Sequence, residues 1–314
     1  MASNQKNFIR HTRCDNQNGG FDFFKLFVPF APSHQQTSES SLNVESHIEG
    51  NLETTNDNTI NQKIYYKIAH NNNKKVISFF HGINLYPNFA DKSIVNMVIE
   101  IPQGTSKKLE IAKEEINNPI MYDTEKKDGV NVIREVKYQA KGSKYIGYPF
   151  HYGALPQTWE HAGHKDSQTG FYGDNDPIDA FDISSIKAYP GMIRQVKILG
   201  AYAMIDNGET DWKLVCINVN DPNAAKYDTI LDVSSEILNI IKDFLIMYKT
   251  PAGKPKNVLF NDAAIWNKFP TMKIVEEVHK FWFDLVNNNE ETINNSDESR
   301  RDLVKQIKII AESS

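Results

Sequence analysis

The stretch FYGDNDPIDAFDI, Phe171 to Ile183, sets Asp174, Asp176 and Asp179 within six residues, bracketed by Gly173 and Pro177. At an effective dielectric of about 20, two carboxylates roughly 4 Å apart repel by on the order of 4 kcal/mol, so such a turn calls for cations among its acids. A calcium loop of the EF-hand type needs Gly at its sixth position and Glu at its twelfth. Counted from Asp174 these positions hold Asp179 and Ser185, which excludes that loop. Taken alone, the segment also reads as an ordinary solvated Asp/Pro turn.

Two further segments present charge in the same manner. In IDNGETDWK, Asp206 and Asp211 flank a Gly turn, and strand alternation puts Asp211 and Lys213 on one face with Trp212 on the other. In MVIEIPQGTSKKLEIAK, a strand, a Pro/Gly turn and a second strand bring Glu100, Lys108 and Glu110 toward one side, with Ile99 and Ile101 together on the face away from Glu100 and with Leu109 opposed to Lys108 and Glu110. Each has a bland alternative, an exposed hairpin with a local ion pair or a solvated strand face. YIGYPFHYGALPQTWE supplies Tyr148 and Tyr152, whose hydroxyls suit phosphoryl oxygens or, equally, a packed aromatic core. MYKTPAGKPKN supplies Tyr248 and Lys249 at a helix C-terminus, where a lysine also complements the helix dipole.

Other chemistries are excluded. EHAGH carries Glu160, His161 and His164, but the spacing is not HExxH and Gly163 marks a loop, so a zinc site is not expected. No GxxxxGK[ST], GxGxxG or GxSxG motif occurs. A net charge of -5 leaves no whole-chain footprint for nucleic acid or an anionic membrane, so an anionic substrate must be met by local cations or metal. Cys14 and Cys216 lie far apart without a CxxC, which fits a reducing compartment rather than a disulfide framework. No run of about 18 apolar residues predicts a membrane-spanning helix, and the N-terminus lacks the apolar core of a secretory signal.

The elements that must position these groups read as mainly β. From Gln62 onward, short alternating runs such as SIVNMVIEI, RQVKILGAYAMI and WKLVCINVN are punctuated by Gly, Pro and Asn, the pattern of an antiparallel barrel or sandwich. Two amphipathic helices follow, SSEILNIIKDFLIMY with Ser234 or Asp232 as N-cap, and MKIVEEVHKFWFDLV. Residues 1–60 are Asn-, Ser-, Thr- and Gln-rich and read as a disordered extension, apart from the apolar island Phe21 to Phe30. The expected organisation is therefore an extension over 1–60, a catalytic domain over 61–287, and a polar linker with a tail helix over 288–314.

Taken in order, EIP, KLEI, YGALPQTWE, GDNDPID, GETDWK and the YK.P.GKP pattern resemble the family I soluble inorganic pyrophosphatases, in spacing the eukaryotic type, over about residues 65 to 285. The resemblance implies an OB-like five-stranded antiparallel β-barrel with two flanking α-helices, hydrolysing pyrophosphate to two orthophosphates with several Mg2+ ions, Mn2+ being an alternative. It implies Asp174, Asp179, Asp206, Asp211 and Glu110 as metal ligands, with Glu100 and Tyr148 in support. Asp176 is then the general base for a metal-bridged water, and Lys108, Arg134, Tyr152, Lys213, Tyr248 and Lys249 hold phosphate. Arg134 sits about three residues too far from Tyr152 for the family pattern, which leaves Lys137 as its rival. A cytoplasmic homodimer is implied as well. The rival functions are a nucleotide or polyphosphate hydrolase on the same scaffold, and a barrel that binds nucleic acid, against which the acidic loops argue.

Overall fold

The computed structural model describes residues 45–49, 60–70, 73–287, 296 and 300–314. Its strands are β1 (Glu45–Glu49), β2 (Lys63–His70), β3 (Asn73–Ile77), β4 (Ile94–Ile101), β5 (Leu109–Ile111), β6 (Ile120–Tyr122), β7 (Thr124–Lys127) and β8 (Val130–Ile133). There follow β9 (His151–Ala154), β10 (Tyr172–Gly173), β11 (Asp179–Asp182), β12 (Ile193–Asp206), β13 (Glu209–Asn218), β14 (Val258–Leu259) and β15 (Ile265–Asn267). The helices are α1 (Ser235–Met247), α2 (Phe260–Ala263), α3 (Lys268–Val286) and α4 (Arg301–Ser313).

A barrel closes through β4–β9, β9–β11, β11–β13, β13–β12 and β12–β4, five strands in all. β11 and β13 run parallel, and the other four pairings are antiparallel. The expected mainly β barrel with flanking helices is thus borne out. A second sheet, ordered β1-β2-β6-β5 with β3 on β2, covers part of it. β1 lies inside the segment read from composition as disordered, and its backbone pairs antiparallel with β2 from Glu45↔Lys67 to Glu49↔Lys63. The Phe21 to Phe30 island and most of residues 288–299 lie outside the described residues.

Period-two alternation sorts β13 into two faces. Trp212, Leu214 and Cys216 pack with Ile274, Val275 and Val278 of α3, while Val215 and Ile217 pack on the side of Ile241 and Phe244 of α1. Two bulges break the alternation. Between Ile99 and Ile101 the β4–β9 register shifts, so these two isoleucines join different clusters rather than sharing the face expected of them. Between Ile198 and Gly200 the β12–β13 register shifts, and the α3-facing set changes from Val196 and Ile198 to Ala201 and Ala203.

Ser234 caps α1 by accepting from the Ile237 amide, and Ile240, Ile241, Phe244 and Leu245 bury the expected stripe. α3 begins four residues before the expected Met272. Asn267 caps it, and Pro270 falls in the first turn, where its missing N–H has no partner to lose. α4, the tail helix, packs on the body by burying Val304, Ile307 and Ala311 in the α1-side core.

Candidate active site

The α1-side face of the barrel carries charge. Lys213 on β13 is 4 % exposed, and its ammonium meets Asp179 of β11, Asp211 at 2.5 Å and the Tyr152 hydroxyl at 2.9 Å. The Tyr152 hydroxyl in turn donates to Asp179 at 2.5 Å. The β12–β13 turn runs Asp206, Asn207, Gly208, Glu209, with Asn207 at φ 51 and Gly208 at φ 86, the positive pair a tight hairpin turn requires. That turn sets Asp206 against Lys249, which follows α1 and its C-cap Tyr248. Before β11, Asp174 accepts from the Asp176 amide at 3.0 Å while Asn175 takes φ 73, so the two carboxylates sit on a compact turn.

The opposite wall comes from β5 and its neighbours. Lys108 pairs with Glu110 at 2.7 Å and Asp123 at 3.0 Å, and Arg134 meets Asp123 at 2.7 Å. Glu100, at the β4 bulge, accepts from the Ile111 amide at 2.6 Å and so locks β4 to β5. Tyr148 stacks obliquely on Tyr152 and Phe244, with centroids 5.0 and 5.1 Å away. Every site residue expected from the sequence lines one cleft of about 490 Å³. Lys137 is outside it, 66 % exposed and 3.8 Å from Glu135, so of the two rivals it is Arg134 that faces the cleft.

Sequence reasoning missed several participants. Glu160, considered only for zinc, is 3 % exposed and groups with Asp174 and Asp211, their carboxylate oxygens within 4.8 Å of one another. Its Oε1 accepts from the Trp212 amide at 2.9 Å, whereas Oε2 is buried with no hydrogen-bond partner among the described residues. A Cβ on Gly173 would lie 2.4 Å from the Glu160 carbonyl carbon, so only glycine allows β10 this close to the 160 segment. His161 stacks on Trp159 at 4.2 Å and His164 lies 5.0 Å from Phe281, and neither belongs to the acidic trio. Lys113 pairs with Asp176 at 2.7 Å, and Lys254 and Lys256 line the cleft. Each of Glu160, Lys113 and Lys254 sat inside a segment already singled out, as the last residue of YGALPQTWE, the last of MVIEIPQGTSKKLEIAK and the lysine of GKP.

Burial dominates the electrostatics. It raises the carboxyl pKa of Glu100, Glu160 and Asp174, with help from Asp179 for the first, from Asp174 and Asp211 for the second, and from Asp211 and Asp176 for the third. Asp211 is pushed up to about 7 by burial, against the pull of Lys213. Burial by itself would lower Lys108 and Lys213, yet the adjoining carboxylates outweigh it and both amines are held charged. Asp211 Oδ1 is close to the Lys213 ammonium but lies outside hydrogen-bond alignment, so charge is what couples them. Crowded acids with raised pKa, an orphaned buried carboxylate oxygen and an all-oxygen donor set fit hard divalent cations, and among the described residues no nitrogen or sulfur ligand joins the trio.

Comparison with known proteins agrees with this chemistry. The family profile for inorganic pyrophosphatase matches residues 97–283. An inorganic pyrophosphatase of Dictyostelium discoideum is 44% identical over 224 residues, 70% of this chain and 76% of that one. One of Bos taurus is 42% identical over 231 residues, 73% of this chain and 75% of that one. The structure of inorganic pyrophosphatase from Schistosoma japonicum matches with TM-score 0.66 at 39% identity, covering 73% of this chain and 77% of that one. An N-terminally truncated Trypanosoma cruzi vacuolar soluble pyrophosphatase in complex with PPi matches with TM-score 0.66 at 29% identity, covering 90% and 98%. The chain belongs to the inorganic pyrophosphatase family.

Proposed function

We propose that this chain hydrolyses inorganic pyrophosphate to two orthophosphates in the cleft between β5, β11, β13 and the end of α1. The observation that carries the reading is the convergence of acidic Asp174, Asp176, Asp179, Asp206 and Asp211 with cationic Lys108, Arg134, Lys213 and Lys249 around one cavity. A small polyanion needs both. Carboxylates gather divalent cations, and fixed ammonium and guanidinium groups take phosphoryl oxygens directly.

Asp174, Asp179, Asp206, Asp211 and Glu110 are the metal ligands in this reading, and magnesium is the ion. Bound magnesium supplies charge neutralisation and a water acidified toward neutral pH. Asp176 takes the proton of the attacking water, and Lys113, at 2.7 Å, orients its carboxylate. Tyr152, held by Lys213 and Asp179, and Tyr248, stacked on Phe244 at 5.2 Å, present their hydroxyls to the phosphates. Glu100 and Tyr148 hold the floor of the cleft. A cytoplasmic homodimer completes the reading, supported by the resemblance to eukaryotic members; sedimentation of the purified chain tests the dimer.

Phosphate release from pyrophosphate, with and without magnesium and beside ATP and tripolyphosphate, tests the function. Magnesium-dependent release with pyrophosphate preferred is the expected result. Faster turnover of either longer substrate would replace the reading with that of a nucleotide or polyphosphate hydrolase.

A further inference from the structure

The catalytic reading above assigns no role to the C-terminal segment, yet one residue of it reaches the acidic trio's supports. Arg300 stands immediately before α4. Its Nη1 lies 2.5 Å from Glu209 Oε1 and donates to the Ala162 carbonyl at 3.4 Å. Its guanidinium carbon lies 4.5 Å from the centre of the Tyr172 ring. Ala162 is two residues from Glu160, Tyr172 two from Asp174, and Glu209 two from Asp211. A single guanidinium therefore touches each of the three chain segments that carry the trio.

Backbone bonds tie these segments on the cleft side, from the Asn175 amide to the Glu160 carbonyl and from the Glu160 amide to the Asp176 carbonyl, each at 2.9 Å, and Arg300 adds a charged clamp on the other side. β10 is only two residues long, and its pairing with β13 consists of Tyr172↔Glu209 and Gly173↔Thr210. Arg300 bridges the first of those pairs. It is itself held, since Val304, Ile307 and Ala311 anchor α4 in the core and Ser296 is buried against Gly163. The trio's repulsion pushes the three segments apart, and a cation outside the cleft that binds all three opposes that push without competing for metal.

We propose that Arg300 is a positioning residue, through which the C-terminal helix holds Glu160, Asp174 and Asp211 at the spacing that binds a divalent cation. The inference rests on the metal-site reading above, to which it adds Glu160 on the geometry of the trio. It is tested on the full chain with Mn2+ as probe, counting free ion by electron paramagnetic resonance in the absence of substrate, alongside amide exchange at Gly173 to Asn175.

Arg300→Gln should weaken the tightest Mn2+ site by about three- to tenfold, below the usual loss for a residue bonded directly to a ligand. It should also speed exchange at those amides. Arg300→Lys, which keeps the charge and loses the planar stacking, should fall between. Lys308→Gln on the same helix controls for net charge and should match wild type. Wild-type affinity and exchange in Arg300→Gln would overturn the proposal, as would an equal loss in Lys308→Gln. Asp174→Asn separates the two readings. If it binds Mn2+ as wild type does, the metal-site assignment fails, and the exchange rates of Arg300→Gln alone decide whether this residue orders the strands. A variant that loses helix and sheet signal in circular dichroism is replaced by Arg300→Lys as the deciding one.

Discussion

Replacing Glu160 by Gln removes one charge from the trio and keeps its shape. The trio's oxygens lie within 4.8 Å of one another. At an effective dielectric of about 20, each fully ionised pair at that separation costs about 3.5 kcal/mol, and Glu160 takes part in two such pairs. Proton uptake caps the cost. Burial and its neighbours raise the Glu160 pKa, and Asp211 is pushed up to about 7, so in the metal-free protein the folded state holds protons that the unfolded chain releases above about pH 4. With more protons bound folded than unfolded, stability falls as pH rises from that value through about 7, where Asp211 titrates. Glu160→Gln lifts part of this penalty, and its amide can donate to Asp174 or Asp211. Denaturant unfolding in chelator should find the variant about 2 kcal/mol more stable than wild type at pH 8 and within about 0.5 kcal/mol at pH 4.5. Magnesium should then stabilise wild type more than the variant at pH 8. Identical pH slopes for the two proteins in chelator would refute the argument that repulsion, and hence metal, governs this cluster.

Three other outcomes are expected. Asp176→Ala should lower turnover by at least about a hundredfold with its circular dichroism unchanged; turnover within a few-fold of wild type would reject it as the base. Arg134→Gln should raise KM for pyrophosphate by about tenfold, the cost of one charge-assisted phosphate contact, while Lys137→Gln stays within about twofold; the reverse order would return the contact to Lys137. Asp182 is fully buried and accepts from Arg194 Nη1 at 2.7 Å, the Asn218 amide at 3.0 Å and the Ser184 amide at 2.9 Å, so Asp182→Ala should cost about 3 to 5 kcal/mol in denaturant unfolding. A wild-type midpoint would show that the barrel does not depend on this pair.

Much of this protein is legible in one dimension, because its determinants are local. Alternation along β13 places Asp211 and Lys213 on the charged face and Trp212 in the core, since strand geometry admits only two faces. Ser234 and the 3.6-residue stripe of Ile240, Ile241 and Phe244 define α1, and with it the position of Tyr248 and Lys249. The Asn-Gly pair at 207 and 208 dictates the hairpin that presents Asp206. Each bulge, by contrast, is one inserted residue whose only trace is the partner strand's register, so the expected common face of Ile99 and Ile101 does not survive folding.

What only the tertiary structure decided is which charges meet. Glu160 joins Asp211 across a bond to Trp212 fifty-two residues away, and Arg300 reaches Glu209 across ninety-one. The reach of Lys108 to Asp123 and Arg134 through a shared carboxylate, and the exclusion of Lys137, likewise follow from the way β5 and its neighbouring loops pack. Sequence spacing carries local backbone geometry, whereas these encounters depend on the closure of the barrel and the docking of the C-terminal helix, and electrostatic energy depends on the distance and burial that closure creates.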